Sequence, residues 1–285
     1  MNKSVKIKIG SIVIKIDSEK PSIIHKIVKE HSDFLSDEKA ELLVIVKKET
    51  KHSPKKRKAE KACYDKDNKV LILNEKGAIA KYFIKKGLIH ISLKGKPSGY
   101  HSFLHPLSLL FSYYAIIKKK GLIVHATGVL KNKHYTTLFC GPSGSGKSYI
   151  ARQLKKEPSL QVMNDECIFI EIKKGTAYAC STIFTGKEEM KPKNLSHVLK
   201  TIYFLRLSDI YESIERNKMF GFIKLLENSL LGGLAIKNTS LVRDKVFMKN
   251  YLKLISEINS KVKIFELIRN KDDSDRKSSS IKSII

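Results

Sequence analysis

The residues of this chain with the plainest chemical meaning are Gly141, Pro142, Ser143, Gly144, Ser145, Gly146, Lys147 and Ser148. They match G-x-x-x-x-G-K-[ST] at every fixed position and lie between an apolar run, Leu138-Phe139-Cys140, and a helix-forming stretch, Tyr149 to Leu154. Glycines there let backbone N–H groups converge on phosphate oxygens, and the start of a helix adds partial positive charge. Lys147 suits the β- and γ-phosphates of a nucleoside triphosphate, and the Ser148 hydroxyl suits magnesium. ATP with Mg2+ is the expected cofactor pair.

Two other positions join this loop. Asp165 follows Lys147 by 18 residues, at the end of a short apolar segment and between Asn164 and Glu166. Only one helix and one short strand separate it from the loop, which fits a general base or a metal anchor at the γ-phosphate; the bland alternative is a turn aspartate. His125 stands in the apolar run Leu122 to Ala126. A lone histidine in such a run is more often a core residue than a catalytic one.

These positions must be held by a mixed set of strands and helices. Before the loop, Leu122 to Ala126 and Thr136 to Cys140 read as buried strands around a turn at Lys131-Asn132-Lys133. After it come a helix over Ser148 to Lys155 and strands at Val162-Met163 and Cys167 to Ile172. A strand at Ile202 to Leu205, helical stretches near Met219 to Leu231 and Leu241 to Ile258, and a strand at Val262 to Leu267 complete the pattern. Leu104 to Ile117 carries helical spacing and ends in three lysines and Gly121. The first hundred residues read as short strands: a hairpin around Gly10-Ser11, then Leu42 to Val46, Val70 to Leu73, Ile79 to Ile84 and Leu88 to Leu93. Gly95 to Gly99, with Pro97, reads as a junction. The expected organisation is a small strand-rich α/β domain over 1–98, a nucleotide-binding domain over 99–271 and a polar tail over 272–285.

A chain of 285 residues suits one principal domain with a smaller companion, and 42% hydrophobic against 29% charged residues is a globular balance. The formal charge of +27 asks for an acidic partner. Of the basic residues, however, 48 are Lys and 7 are Arg, spread along the whole chain. Nucleic-acid readers lean on Arg, so a lysine-rich solvated surface is the preferred reading, and the basic stretch His52 to Lys58 reads as a loop. Lys or Arg interrupts every apolar segment before the roughly 20 residues a membrane helix needs, and the N-terminus alternates instead of forming a signal core. A cytoplasmic protein without a membrane partner is expected. Cys63, Cys140, Cys167 and Cys180 are too far apart for a Cys-x-x-Cys site and read as small hydrophobes.

Taken together, Ile123-Val124-His125-Ala126, the loop from Gly141 to Ser148, and Met163-Asn164-Asp165 resemble the catalytic domain of the HPr kinase/phosphorylase family, over roughly residues 100 to 270. The resemblance implies a mixed-sheet α/β fold with a P-loop, related to phosphoenolpyruvate carboxykinase, and transfer of phosphate to a serine hydroxyl of a protein or peptide. It implies that Lys147 contacts the β/γ-phosphates, that Ser148 holds magnesium, and that Asp165 takes the serine proton. His125 would support the phosphoryl site, with Asp165 and Asn164 beside the metal. Asn164 stands where the family has the first Asp of a pair, Tyr149 stands where the bacterial enzymes usually have Glu, and the Gly-Arg-Asn signature is missing. The resemblance leaves a homo-oligomer open.

Competing readings are a nucleotide-binding regulator without catalysis, which Asn164 favours, and a small-molecule kinase. A GTPase is suggested by Asn270-Lys271-Asp272-Asp273, which fits N-K-x-D after an apolar strand, yet the D-x-x-G such an enzyme needs is missing.

Overall fold

The computed structural model describes residues 3–48, 62–66, 68–75, 77–94, 100–132, 134–185, 191–232 and 244–270. The chain forms two compact units, residues 1–120 with 234–250, and residues 121–233 with 251–285. Each is α/β and each is built on a mixed sheet.

In the first unit, β1 (Lys3–Ile9) and β2 (Ile12–Ser18) form the expected hairpin, with Gly10 in the left-handed region at φ 56°. The segment after it is a helix, α1 (Pro21–Glu30), which the sequence reading of this strand-rich α/β unit did not locate. Pro21 supplies a preset φ where no intrahelical donor is needed, and Ile23, Ile24 and Ile27 bury one face. β3 (Leu42–Lys48) then joins parallel to β2. β4 (Ala62–Asp65), β5 (Val70–Glu75), β6 (Ala78–Phe83) and β7 (Leu88–Leu93) complete a seven-stranded sheet in the order β1-β2-β3-β7-β6-β5-β4. α2 (His101–Ile117) belongs to this unit, whereas the sequence expectation put it with the nucleotide loop. Thirteen of its seventeen residues are buried, it packs on β5, β6 and β7, and Tyr114 donates to the Glu41 carboxylate at 3.0 Å. The Gly95 to Gly99 junction and the His52 to Lys58 stretch lie outside the described residues.

The second unit begins with the hairpin β8 (Leu122–Lys131) and β9 (Tyr135–Cys140), followed by α3 (Lys147–Leu154). β10 (Leu160–Asn164) pairs antiparallel with Gly128 to Lys131 of β8, and β11 (Cys167–Lys173) pairs with Leu122 to His125 of the same strand. The two therefore run end to end along one side of β8, broken at Asp165 and Glu166. β12 (Thr176–Ser181) was not expected from sequence; it turns back from β11 at Lys174-Gly175. β13 (Ser196–Ser208) pairs with β12 at one end and runs parallel to β9, which closes a ring of five strands: β8, β9, β13, β12 and β11. β14 (Glu212–Glu215), a second unexpected strand, follows. α4 (Lys218–Asn228), α5 (Lys245–Lys261) and β15 (Lys263–Asn270) complete the chain, with β15 parallel to β13 and antiparallel to β14. The first residues of α5 count with the first unit and the rest with the second. Lys271 to Asp273 of the N-K-x-D match and the tail over 272–285 lie outside the described residues.

The core that seats α3 is specific. Ile150 and Leu154, one turn apart, pack with Val129, Phe139, Tyr203, Leu205 and Leu267 from β8, β9, β13 and β15. Phe139, Tyr203 and Phe265 are cross-strand neighbours whose rings stack at centroid distances of 5.4 and 5.1 Å. Burying Ile150 and Leu154 is worth about 1.5 to 3 kcal/mol each. That energy fixes the helix start against the end of β9.

Candidate nucleotide and phosphoryl site

β9, β13 and β15 are mutually parallel, so their C-terminal ends fall on one side of the sheet, where ligands of α/β folds collect. The Gly141 to Gly146 loop leaves β9 there and enters α3. Gly144 and Gly146 have φ of 83° and 93°. At Gly146 a Cβ would come within 1.7 Å of the Arg269 guanidinium, so glycine is required twice over, by backbone conformation and by space. Gly146 occupies the N-cap position, so no side chain caps α3, and the first amides of the helix have no intrahelical acceptor. Ser145 is 4% exposed and its hydroxyl has no hydrogen-bond partner among the described residues.

Lys147 is buried at 6% exposure and its ammonium donates to the carbonyls of Gly141 at 2.7 Å and Pro142 at 3.0 Å. Burial lowers its pKa, and the nearby Glu166 and Cys140 offset part of that shift. The side chain thus lies folded over the loop that its charge would share with a phosphate. Ser148 is half-buried, and Pro142, Ser143 and Gly144 are exposed.

The break between β10 and β11 sits at the same level. Ala126 N donates to Glu166 O at 3.1 Å, and Ala126 is opposite Cys140, the residue before Gly141. Asp165 and Glu166 are therefore two strand spacings from the end of β9, about 10 Å. A bulge between Val162 and Asn164 precedes them, a device that re-aims side chains. Asp165 is 3% exposed. Glu166 reaches His125 Nε2 at 3.2 Å, with the two side chains 43% and 30% exposed. His125 is thus half-buried and faces a carboxylate, a setting that position in an apolar strand did not disclose.

Asn164 is 1% exposed and fully engaged. Its Nδ2 donates to Thr182 O at 3.0 Å, with Thr182 Oγ1 at 3.3 Å and Phe184 O at 3.5 Å. Its Oδ1 accepts from Glu166 N at 3.1 Å. The amide ties the strand break to the segment after β12. Among the described residues, no group of three or more His, Cys, Asp or Glu side chains stands ready to hold a metal ion.

Beside the loop is a cavity of about 650 Å³, lined by His125, Gly141 to Ser145, Arg206, Phe220, Glu266 and the C-terminal part of α4. After α4 the chain returns to β8, where Leu230 N donates to Ile123 O at 2.9 Å, two residues before His125. Arg206 Nε donates to Glu266 Oε1 at 2.8 Å and Arg216 Nε to Glu266 Oε2 at 3.0 Å. Burial pushes the Glu266 pKa up, but Arg216 and then Arg206 more than reverse it, and the net shift is downward. Sequence reading assigned no role to Arg206, Glu266 or Arg269, because the contacts of each depend on strand register.

The fold and site define a mixed α/β protein in which a strand, a glycine-rich loop and a helix share one sheet end with an acid-bearing strand break. No family model matches the chain, and no curated protein matches it. Among solved structures it is similar to the structure of the Hpr(Ser) kinase/phosphatase from Coxiella burnetii, at 9% identity and a TM-score of 0.30, over 57% of this chain and 92% of that one. A TM-score of that size transfers no residue role, and the site stands on its own geometry. No helix among the described residues is long and apolar enough to cross a membrane.

Proposed function

We propose that this chain is a kinase that uses magnesium-ATP to phosphorylate a serine hydroxyl of a protein or peptide. The observation that carries the reading is the buried Lys147, held over an uncapped helix start, at the same sheet level as the Asp165 and Glu166 break. The donors fit the groups invoked. Loop amides and Lys147 suit phosphate oxygens, while the Ser148 hydroxyl and the Asp165 carboxylate suit a hard cation that keeps most of its ligands as water and phosphate. Asn164 spends its amide on Thr182 and Glu166, so it serves the site by positioning Asp165. Magnesium would supply charge neutralisation across the β- and γ-phosphates.

In the transfer, the serine oxygen forms a bond to the γ-phosphorus as the bond to the β,γ-bridging oxygen breaks, leaving ADP. Asp165 takes the hydroxyl proton. Lys147 and the loop amides balance the charge that builds on the leaving phosphate, and His125, paired with Glu166, lines the acceptor side. A second reading, a kinase for a small hydroxyl compound, is favoured by the cavity volume, which lies in the range of small-molecule sites.

The test pairs two variants. Lys147→Ala should cost about 2 to 4 kcal/mol in ATP binding. Asp165→Asn should leave ATP binding nearly intact and reduce phosphoserine formation about 10²- to 10⁴-fold, followed by labelled ATP and mass spectrometry on a cell lysate. Parent-like ATP binding by Lys147→Ala would remove the donor site, and full transfer by Asp165→Asn would remove Asp165 from the mechanism. Label appearing only in small molecules would favour the second reading.

A further inference from the structure

Arg269 is a buried cation set against the positive end of a helix. It lies near the C-terminal end of β15, 5% exposed. Nη1 makes a long contact of 3.4 Å to Gly146 O, Nε is buried with no acceptor among the described residues, and the guanidinium lies over the Tyr149 ring, 4.6 Å from its centroid. Among the described residues no acidic side chain pairs with it, although Arg206 and Arg216, near the same end of the sheet, share Glu266.

Two physical rules are broken at once. A buried guanidinium is costly unless an anion accompanies it, and none of the described residues supplies one. A helix N-terminus is the positive end of the helix dipole, where a cation is repelled, yet Arg269 stands against Gly146, the N-cap of α3, with Lys147 next in sequence. An anion seated at the helix start, in contact with the amides, Lys147 and Arg269, removes both penalties.

We propose that Arg269 is a second phosphate ligand of the Gly141 to Ser148 loop, directed at the α-phosphate of the bound nucleotide. This rests on the donor-site reading above. Order along the loop sets which phosphate is met. Lys147 serves the β- and γ-phosphates and Ser148 the metal, while Arg269 is anchored over Tyr149, further along the helix start. It approaches from β15, two strands from β9. The guanidinium fork suits phosphate oxygens, and the Tyr149 ring holds its plane without using any of its donors. Gly146 leaves the space that this approach needs.

The test uses the full chain and its Arg269→Met and Arg269→Lys variants, titrated with magnesium-ATP and magnesium-ADP, with melting of each ligand-free protein. Arg269→Met keeps bulk and removes charge. It should weaken ATP and ADP alike, about 10- to 100-fold, while the ligand-free protein melts at or above the parent temperature because an uncompensated buried cation has gone. Arg269→Lys should recover most of the affinity. Equal losses in both variants together with a lower melting temperature would make Arg269 a structural support and overturn the assignment. So would unchanged affinity, and a loss confined to ATP would overturn the placement at the α-phosphate. If the parent binds neither nucleotide, the donor-site reading fails and takes this assignment with it; parent binding with parent-like Arg269→Met refutes the assignment alone.

Discussion

Asn164→Asp exchanges two atoms of nearly equal size and separates two roles for this position. If Asn164 is a weakened metal ligand, the carboxylate should strengthen magnesium-dependent nucleotide binding. The hydrogen bonds argue the reverse. The amide nitrogen donates to Thr182 O at 3.0 Å and also faces Phe184 O at 3.5 Å, and an aspartate would turn a charged oxygen toward both carbonyls at 1% exposure. Losing the donor and leaving a buried acceptor unmatched costs about 1 to 3 kcal/mol, and an uncompensated buried charge raises the total to about 3 to 5 kcal/mol. For a unit of this size the melting temperature should fall by on the order of 10 °C. Asn164→Ala, which loses the bonds without adding charge, should fall less. Thermal and urea melts of the three proteins, with magnesium-ATP affinity measured on each, decide the matter. An Asn164→Asp protein as stable as the parent and tighter for magnesium-ATP would refute the clamp.

Three other outcomes are expected. His31 is 3% exposed, stacked on Tyr100 with neither ring nitrogen hydrogen-bonded among the described residues, and burial, partly offset by Glu30 and reinforced by Lys26, lowers its pKa from 6.5 to about 4. Because the unfolded chain takes up this proton first, stability should decline as pH falls from 6.5 toward 4, by up to about 3 kcal/mol. His31→Phe should flatten that part of a stability profile, and an unchanged slope would count against the assignment. Gly146→Ala should abolish ATP binding in a titration, since the new methyl meets both a φ of 93° and the Arg269 guanidinium; retained binding would mean the loop tolerates another shape. A chain starting at Ser98 should be insoluble in expression trials, because α2 would lose β5, β6 and β7 as its cover; a soluble, ATP-binding product would restore the 98/99 boundary.

What the sequence disclosed depends on the range of the interactions involved. The loop, its helix, the Gly10 hairpin and α2 are set by neighbours within a turn or two, so pattern and punctuation located them. α1 was missed: Pro21 and the spacing of Ile23, Ile24 and Ile27 mark it, yet ten residues amid strands carry a weak periodic signal. β12 hides because Ala177 and Ala179 bury small side chains that hydropathy underweights. The work of Asn164 could not be read, since its partners Thr182 and Phe184 arrive only after the β11–β12 hairpin folds back. Arg269 looks like one more basic residue near a lysine-rich end until parallel register brings it to Gly146.

The five-stranded ring gives these side chains a common fate. Lys147 follows β9, His125 is in β8, Asp165 sits where β10 meets β11, and the ring that links them closes only when β13 is paired on both flanks. A closed circuit of hydrogen-bonded strands cannot lose one member without opening two seams, so local fraying is suppressed and the backbone amides behind the site should exchange with solvent together, in one slow event. Asp165, the Gly141 to Ser148 loop and His125 are in this sense a single mechanical part, and variation around them has its freedom in α4 and the loops around the ring.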